Sequence, residues 1–471
     1  MKNKLIIPGL ALIAISLWSC GPSKNKAAKP EFSFTVTLDN NPNYAKLPQL
    51  QSFVFENYKG NWLMFSGRTN GFHNFSEPGQ DFPKLKANQF IFVFDPASGQ
   101  LDSLAIPNYG GDTANVFLST NLAHTAKDGY LYACGGYGAL PGGDSARTTY
   151  SYFMRMQMDS AIAAVKANNP GRFKKSIIWG QSPMVCSTGG ELYLLPDNNF
   201  YMCVGHKFTG SYIDSTAIQQ YVDKINVFSV SVANNSLVLT ASANGPITDG
   251  LPDSTTQFRR RDLVVAPNVL ANGTDIGLAI YGGVFTYGGT GSPFDAGGNP
   301  FPNPIYVDYH QAPYYKVDTY SQPTNVYSTA FLSMYDNDSK CMITSLFGGL
   351  GDTQQNFNAA NWSETISSNI RCFANNKDTT TTYPNTGGGL PAYIGAESIF
   401  IPDASVTYYQ NNSDYKIVDY SSLTNGQTVG RIYGGIVCTT LPAGNNNAIT
   451  SASSGVYKIV FNKLEPVAAS K

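Results

Sequence analysis

The residue types able to do chemistry are sparse in this chain of 471 residues. The four histidines, His73, His124, His206 and His310, fall singly along it, with no i, i+2 pair. Paired histidines are what a metal site on one strand needs, and no CxxC or Cys/His spacing occurs either, so neither metal nor cofactor is expected. A GxSxG elbow and a phosphate-binding loop are likewise missing. Asp336 to Lys340 has acids spaced like the start of a calcium loop, but without the following glycine and glutamate it reads as a hairpin turn.

Two clusters stand out. Arg259-Arg260-Arg261-Asp262 presents guanidiniums on both sides of an extended chain, Arg259 and Arg261 on one and Arg260 on the other. A planar guanidinium suits a two-pronged grip on a carboxylate or another anion. It equally suits an internal ion pair, with Asp262 or Glu397 as the acid. Glu397, His73 and His206 are groups that could give and take a proton. Near them in sequence lie aromatic and short amide side chains, among them Tyr137, Phe285, Phe72, Asn70 and Tyr212. Rings that stack and amides that hydrogen-bond fit a neutral, hydroxyl-rich ligand, so a glycan is expected before a peptide.

What positions these residues is a repeat. A β-branched and aromatic strand running into glycine recurs as Trp62 to Gly67, Leu131 to Gly136, Phe200 to Gly205, Leu278 to Gly283, Ile343 to Gly349 and Arg431 to Gly435. Successive marks lie 68, 70, 77, 66 and 86 residues apart. A strand precedes each mark, often through a tight turn such as Lys59-Gly60, and an alternating strand such as Asn88 to Asp95 follows. The double glycine, the neighbouring aromatic and the third strand ending in Asp resemble the kelch repeat, over about Phe32 to Leu464. Phe258 to Leu263 and Ile394 to Glu397 also resemble segments of an uncharacterised group of kelch-like lipoproteins from Bacteroidetes. The resemblance implies an all-β, six-bladed kelch-like β-propeller, each blade of four antiparallel strands around a channel. Phe32 to Leu38 is an alternating strand without a local partner, and the last blade ends on its third strand, Val456 to Phe461. The N-terminal strand is therefore expected to close the last blade. The helix-like insertion Asp159 to Asn168 and the long stretch Ser405 to Gln427 leave seven blades open.

In such a blade the long loops after the second strand share one face with the start of the first strands. Long loops on a rigid scaffold are where binding resides, so the expected site is the channel mouth, with Arg259, Arg260, Arg261, Glu397, His73, His206, Tyr137 and Phe285 around it. Fold-level likeness to exported sialic-acid mutarotases makes a sugar-active enzyme, epimerase or hydrolase, the alternative to a binding or scaffold module.

At the N-terminus, Lys2 and Lys4 precede an apolar run from Leu5 to Leu17. Leu17-Trp18-Ser19-Cys20 resembles a bacterial lipobox, which implies a signal peptide over residues 1–19, lipidation of Cys20 and a tether over 20–31, with an ordinary secretory signal as the other reading. A single propeller domain over 32–471 is expected on the outer membrane, attached by the lipid alone, its face unassigned. The partner would be a glycan or an envelope protein, the chain a monomer. Charged residues make up 13% of the chain and the net charge is -1, which argues against nucleic acid. The six other cysteines, several inside apolar strand patterns, are expected to be mostly free and buried.

Overall fold

The computed structural model describes residues 29–73, 81–106, 113–140, 146–212, 214–289, 299–323, 327–350, 362–374, 377–440 and 449–464. Lipidation at Cys20 and the tether to residue 28 lie outside them. Strands dominate, in a β-propeller arrangement. Six sheets share one core of four antiparallel strands. In chain order the first is Val54–Tyr58, Asn61–Phe65, Phe90–Asp95 and Gln100–Ala105, and the second Thr120–Lys127, Tyr130–Ala139, Tyr152–Gln157 and Ile177–Gln181. The third is Glu191–Leu194, Phe200–Cys203, Ile225–Ala233 and Ser236–Ala241, and the fourth Val264–Val269, Ile276–Tyr281, Ile305–Val307 and Tyr315–Val317. The fifth is Ala330–Asp336, Cys341–Leu350, Trp362–Ala374 and Lys377–Pro384. The sixth is Ile399–Pro402, Gln427–Tyr433 and Val456–Lys463, and its outer strand is Phe32–Leu38.

That last pairing is the expected closure. Phe32 lies opposite Lys463 and Leu38 opposite Tyr457, and Phe32, Phe34 and Val36 are buried. Pairing the two chain ends removes a strand edge from solvent. Neighbouring sheets meet through apolar faces. Phe65 and Leu131 share a cluster, as do Phe153 with Phe200, Phe34 with Ile343, and Phe53 with Tyr433. The last of these joins the sixth sheet to the first.

The glycine marks have a backbone cause. At every mark two consecutive residues take positive φ: Ser66 and Gly67, Gly135 and Gly136, Val204 and Gly205, Gly282 and Gly283, Gly348 and Gly349, Gly434 and Gly435. The turn lets the second residue's N–H reach the next sheet. Gly67 donates to Ser119 O (2.9 Å), Gly136 to Ser187 O (3.0 Å), Gly205 to Arg260 O (2.8 Å), Gly349 to Ile394 O (3.2 Å) and Gly435 to Leu50 O (2.8 Å).

Three features refine the expectations. Most of the described cysteines are free thiols, Cys134, Cys186, Cys203 and Cys438, and all but Cys186 are buried, while Cys341 and Cys372, opposite each other on neighbouring strands, form a disulfide. The insertion in the second sheet is two helices, Met158–Lys166 and Pro170–Lys175. On the short-turn face, residues 403–426 form a long excursion between the first two strands of the sixth sheet.

Two glycines separate conformational cost from crowding. Gly60 (φ 79°) has open space where a Cβ would go, whereas a Cβ on Gly135 (φ 69°) would run into the Ser187 carbonyl. Gly60→Ala should cost about 1 kcal/mol in urea unfolding, the left-handed penalty alone, and Gly135→Ala roughly 3 kcal/mol or more. Equal losses would mean that the Gly135 turn is not packed against the next sheet.

Candidate functional site

A single residue at the start of each sheet's inner strand steps into the left-handed region: Ser52, Asn121, Gly189, Asp262, Ser328 and Glu397, with φ between 34° and 67°. Small polar residues tolerate this conformation and glutamate does so least. The step turns each backbone toward its neighbour. Asn121 N donates to Ser52 O (3.1 Å), Asp262 N to Gly189 O (2.7 Å), Ser328 N to Asp262 O (3.3 Å) and Glu397 N to Ser328 O (2.5 Å). Between the sixth and first sheets, the Ser52 hydroxyl donates to the Glu397 carboxyl. This belt crosses the channel axis and separates two spaces, the mouth on the long-loop face and the channel beyond.

Five of the expected residues converge at the mouth. His73, Tyr137, His206, Arg261 and Glu397 line one small cavity with Arg68, Asp262, Thr120 and Tyr327. Arg261 pairs with Asp262, and its guanidinium lies over the Phe285 ring, 5.3 Å from the centroid. His206 Nδ1 is 2.7 Å from Gln219 Nε2, and the Tyr137 hydroxyl donates to Gly210 O at 2.6 Å. Arg259, Arg260 and Phe285 do not line this cavity. Arg259 holds Asp253 (2.9 Å) and the Phe285 carbonyl. Arg260, fully buried, donates to the carbonyls of Gln257, Gly282 and Asn303 at 2.7, 3.0 and 2.8 Å, and so fastens a loop. The direction inferred from strand alternation therefore fails for Arg259, because Val264–Val269 begins only after the cluster.

The mouth cavity is small among the described residues. It is about 30 Å³, room for a water or two rather than a sugar. Phe72, His73, Phe82 and Tyr212 stack across it, and the buried Asp81–Arg147 pair (2.5 Å) fastens the loop beneath. Burial and the Arg261 charge lower the His73 pKa to about 3 and that of His206 well below its usual value, so both are neutral. Burial and the Asp262 charge raise Glu397 to about 8 against the opposing pull of Arg68.

The channel beyond the belt is different. It encloses about 530 Å³, within the range of small-molecule sites. Its walls are inner strands: Glu56 from the first sheet, His124 and Thr125 from the second, Glu191 and Tyr193 from the third, Val265 from the fourth and Ser333 from the fifth. Burial alone raises Glu191 to about 8. Burial lowers the pKa of His124 against the charge of Glu56, so it too faces the space as a neutral ring. The excursion adds Tyr408, Tyr415 and Lys416. Sequence reasoning missed this chamber because its polar residues come one per sheet. The available signal was an acid directly beside the apolar run of an inner strand, as at Glu56 and Glu191. Among the described residues no group of three or more His, Cys, Asp or Glu is placed to hold a metal ion.

No protein-family model matches the chain, and no curated protein matches it. Among solved structures, that of YjhT aligns over 87% of this chain and 99% of its own, at 12% identity and a TM-score of 0.44. At that level the comparison adds nothing to what the strands themselves show.

The two raised carboxyls set a pH dependence. Each keeps its proton in the folded chain up to about pH 8. The unfolded chain releases it near the ordinary glutamate value of 4.5. Their contribution is therefore complete at low pH and is lost as pH rises toward 8. Glu191→Gln and Glu397→Gln should each flatten the decline in stability between about pH 5 and 8. A decline unchanged in both variants would place these carboxyls in water.

Proposed function

We propose that the chain is a six-bladed kelch-like propeller, exported and held at the outer membrane through lipid on Cys20, that binds a hydroxyl-rich ligand in its channel. Six sheets that each contain four consecutive antiparallel strands, the Gly435–Leu50 link from last to first and the shared Phe53–Tyr433 cluster support a six-bladed ring with no seventh unit among the described residues. The glycine marks fit the kelch pattern for the reason given above. The Cys341–Cys372 disulfide is compatible with an oxidising compartment. Residues 1–19 act as signal peptide, 20–31 as tether and 32–471 as a single domain that works as a monomer.

The observation that carries the binding reading is the 530 Å³ channel with its mixed polar and aromatic wall. Such walls suit a glycan end of one or two sugar units: rings stack on Tyr193 and Tyr408 while Ser333, Thr125 and His124 offer hydrogen bonds. The module then serves as a binding or scaffold protein of the envelope, for a glycan or for the glycan of an envelope protein, with no part for nucleic acid. A sugar-active enzyme, mutarotase-like or hydrolytic, is the second reading. It is favoured by Glu191, a carboxyl facing the channel that can exchange a proton near neutral pH.

A glycan array probed with the full-length chain tests this, beside Thr125→Trp, which fills the channel, and Arg261→Ala, which breaks the mouth pair. Selective binding that falls at least tenfold, about 1.4 kcal/mol, in Thr125→Trp alone is expected. Loss in Arg261→Ala alone would return the site to the mouth. Absence of any binding would favour a protein partner on the outer surface.

A further inference from the structure

The excursion over residues 403–426 spans the channel's end from sheet to sheet. Val418 pairs with Met334 of the fifth sheet. The Tyr409 hydroxyl donates to Gly273 O of the fourth (2.7 Å) and that of Tyr415 to Leu194 O of the third (3.3 Å). At its far side Lys416 Nζ lies 3.1 Å from both carboxylate oxygens of Glu56, on the first sheet's inner strand. Lys416 is itself part of the channel wall and has φ 53°.

This lysine is not needed to hold the strap. Ile417 and Val418 are buried beside it, and the two tyrosine hydroxyls anchor the segment on either flank. An ion pair whose lysine is 45% exposed contributes little to stability, and a left-handed lysine carries a backbone penalty. What the arrangement does achieve is to present an ammonium group to a carboxylate inside a ligand-sized chamber. The chamber also holds Glu191, whose carboxyl makes no hydrogen bond or ion pair among the described residues, and the rings of Tyr193, Tyr408 and Tyr415. A carboxylate such as that of Glu56, with aromatic rings and a further hydrogen-bonding carboxyl nearby, is the chemistry that recognises ammonium groups.

We propose that the channel ligand carries a primary amine that takes the place of the Lys416 ammonium on Glu56, Lys416 being a tethered stand-in that keeps the site occupied until the ligand arrives. The inference rests on the channel being the ligand site and narrows what enters it. A tethered competitor lowers apparent affinity by the fraction of time it vacates the site, so removing it should tighten binding. An amino sugar and the amine of a peptide share this chemistry.

Calorimetry on the full-length chain separates the possibilities, with glucosamine, lysinamide and N-acetylglucosamine as probes. Lys416→Ala should bind at least one of the two amines about tenfold more tightly than the unaltered chain. Glu56→Gln in the same background should abolish the gain, and N-acetylglucosamine, its nitrogen capped, should show none. Binding of glucosamine alone identifies an amino sugar, and of lysinamide alone a peptide amine. Lys416→Gln, which keeps a side chain of similar reach, serves as second variant should the alanine form fail to fold. Unchanged amine affinity in both lysine variants, or N-acetylglucosamine bound as tightly as glucosamine, overturns the inference. If that neutral sugar then loses binding in Thr125→Trp, the channel reading stands without the amine. If no probe binds any form, both fall.

Discussion

The rest of the molecule hangs on a backbone constraint: at the start of each inner strand one residue must turn left-handed. From Ser52 to Glu397 that step recurs once per sheet, and at four junctions it comes with a backbone hydrogen bond to the neighbouring sheet. A second constraint works with it further out, where the paired positive-φ residues of the glycine marks hand an N–H to the following sheet. Most of these contacts are made by the backbone alone, the link from the Ser52 hydroxyl to the Glu397 carboxyl being the side-chain exception. Apolar packing between sheets is non-directional, so these backbone links are what set the rotation of each sheet on the next.

The belt also explains why two spaces with different characters coexist on one axis. On the long-loop side, charged residues are spent on fastening: Arg147 on Asp81, Arg259 on Asp253, Arg261 on Asp262 and Arg260 on three carbonyls. Breaking a buried pair such as Arg147–Asp81 is costly, which holds these described residues in place beside the mouth cavity. On the other side the inner strands diverge around a chamber whose polar groups are only partly engaged with one another. Among the described residues the larger space lies on the channel side of the belt.

Much of the fold was legible in the sequence, and the reasons are local. Double glycines such as Gly135-Gly136 report a turn that other residues resist, and the alternation of Phe32 to Leu38 without a neighbour pointed to its pairing with Val456 to Lys463. The site was less legible. His73 and His206 line one small cavity with Arg261 and Glu397, yet loop length said nothing about how much room that cavity leaves. Arg259 was misjudged because alternation presumes a strand, and the strand begins at Val264. Lys416 carried no signal, since what matters is that a 24-residue excursion crosses the axis and meets Glu56, 360 positions earlier.

The central claim is that the channel is accessible and the mouth is not. Carboxyl footprinting addresses it directly: the full-length chain is treated with a water-soluble carbodiimide and glycine ethyl ester, and the sites are read by mass spectrometry. Glu56 and Glu191 should be labelled well ahead of Asp262, which lines the mouth alone. Labelling of Asp262 first, with Glu56 and Glu191 protected, would contradict the account and put the ligand back at the mouth.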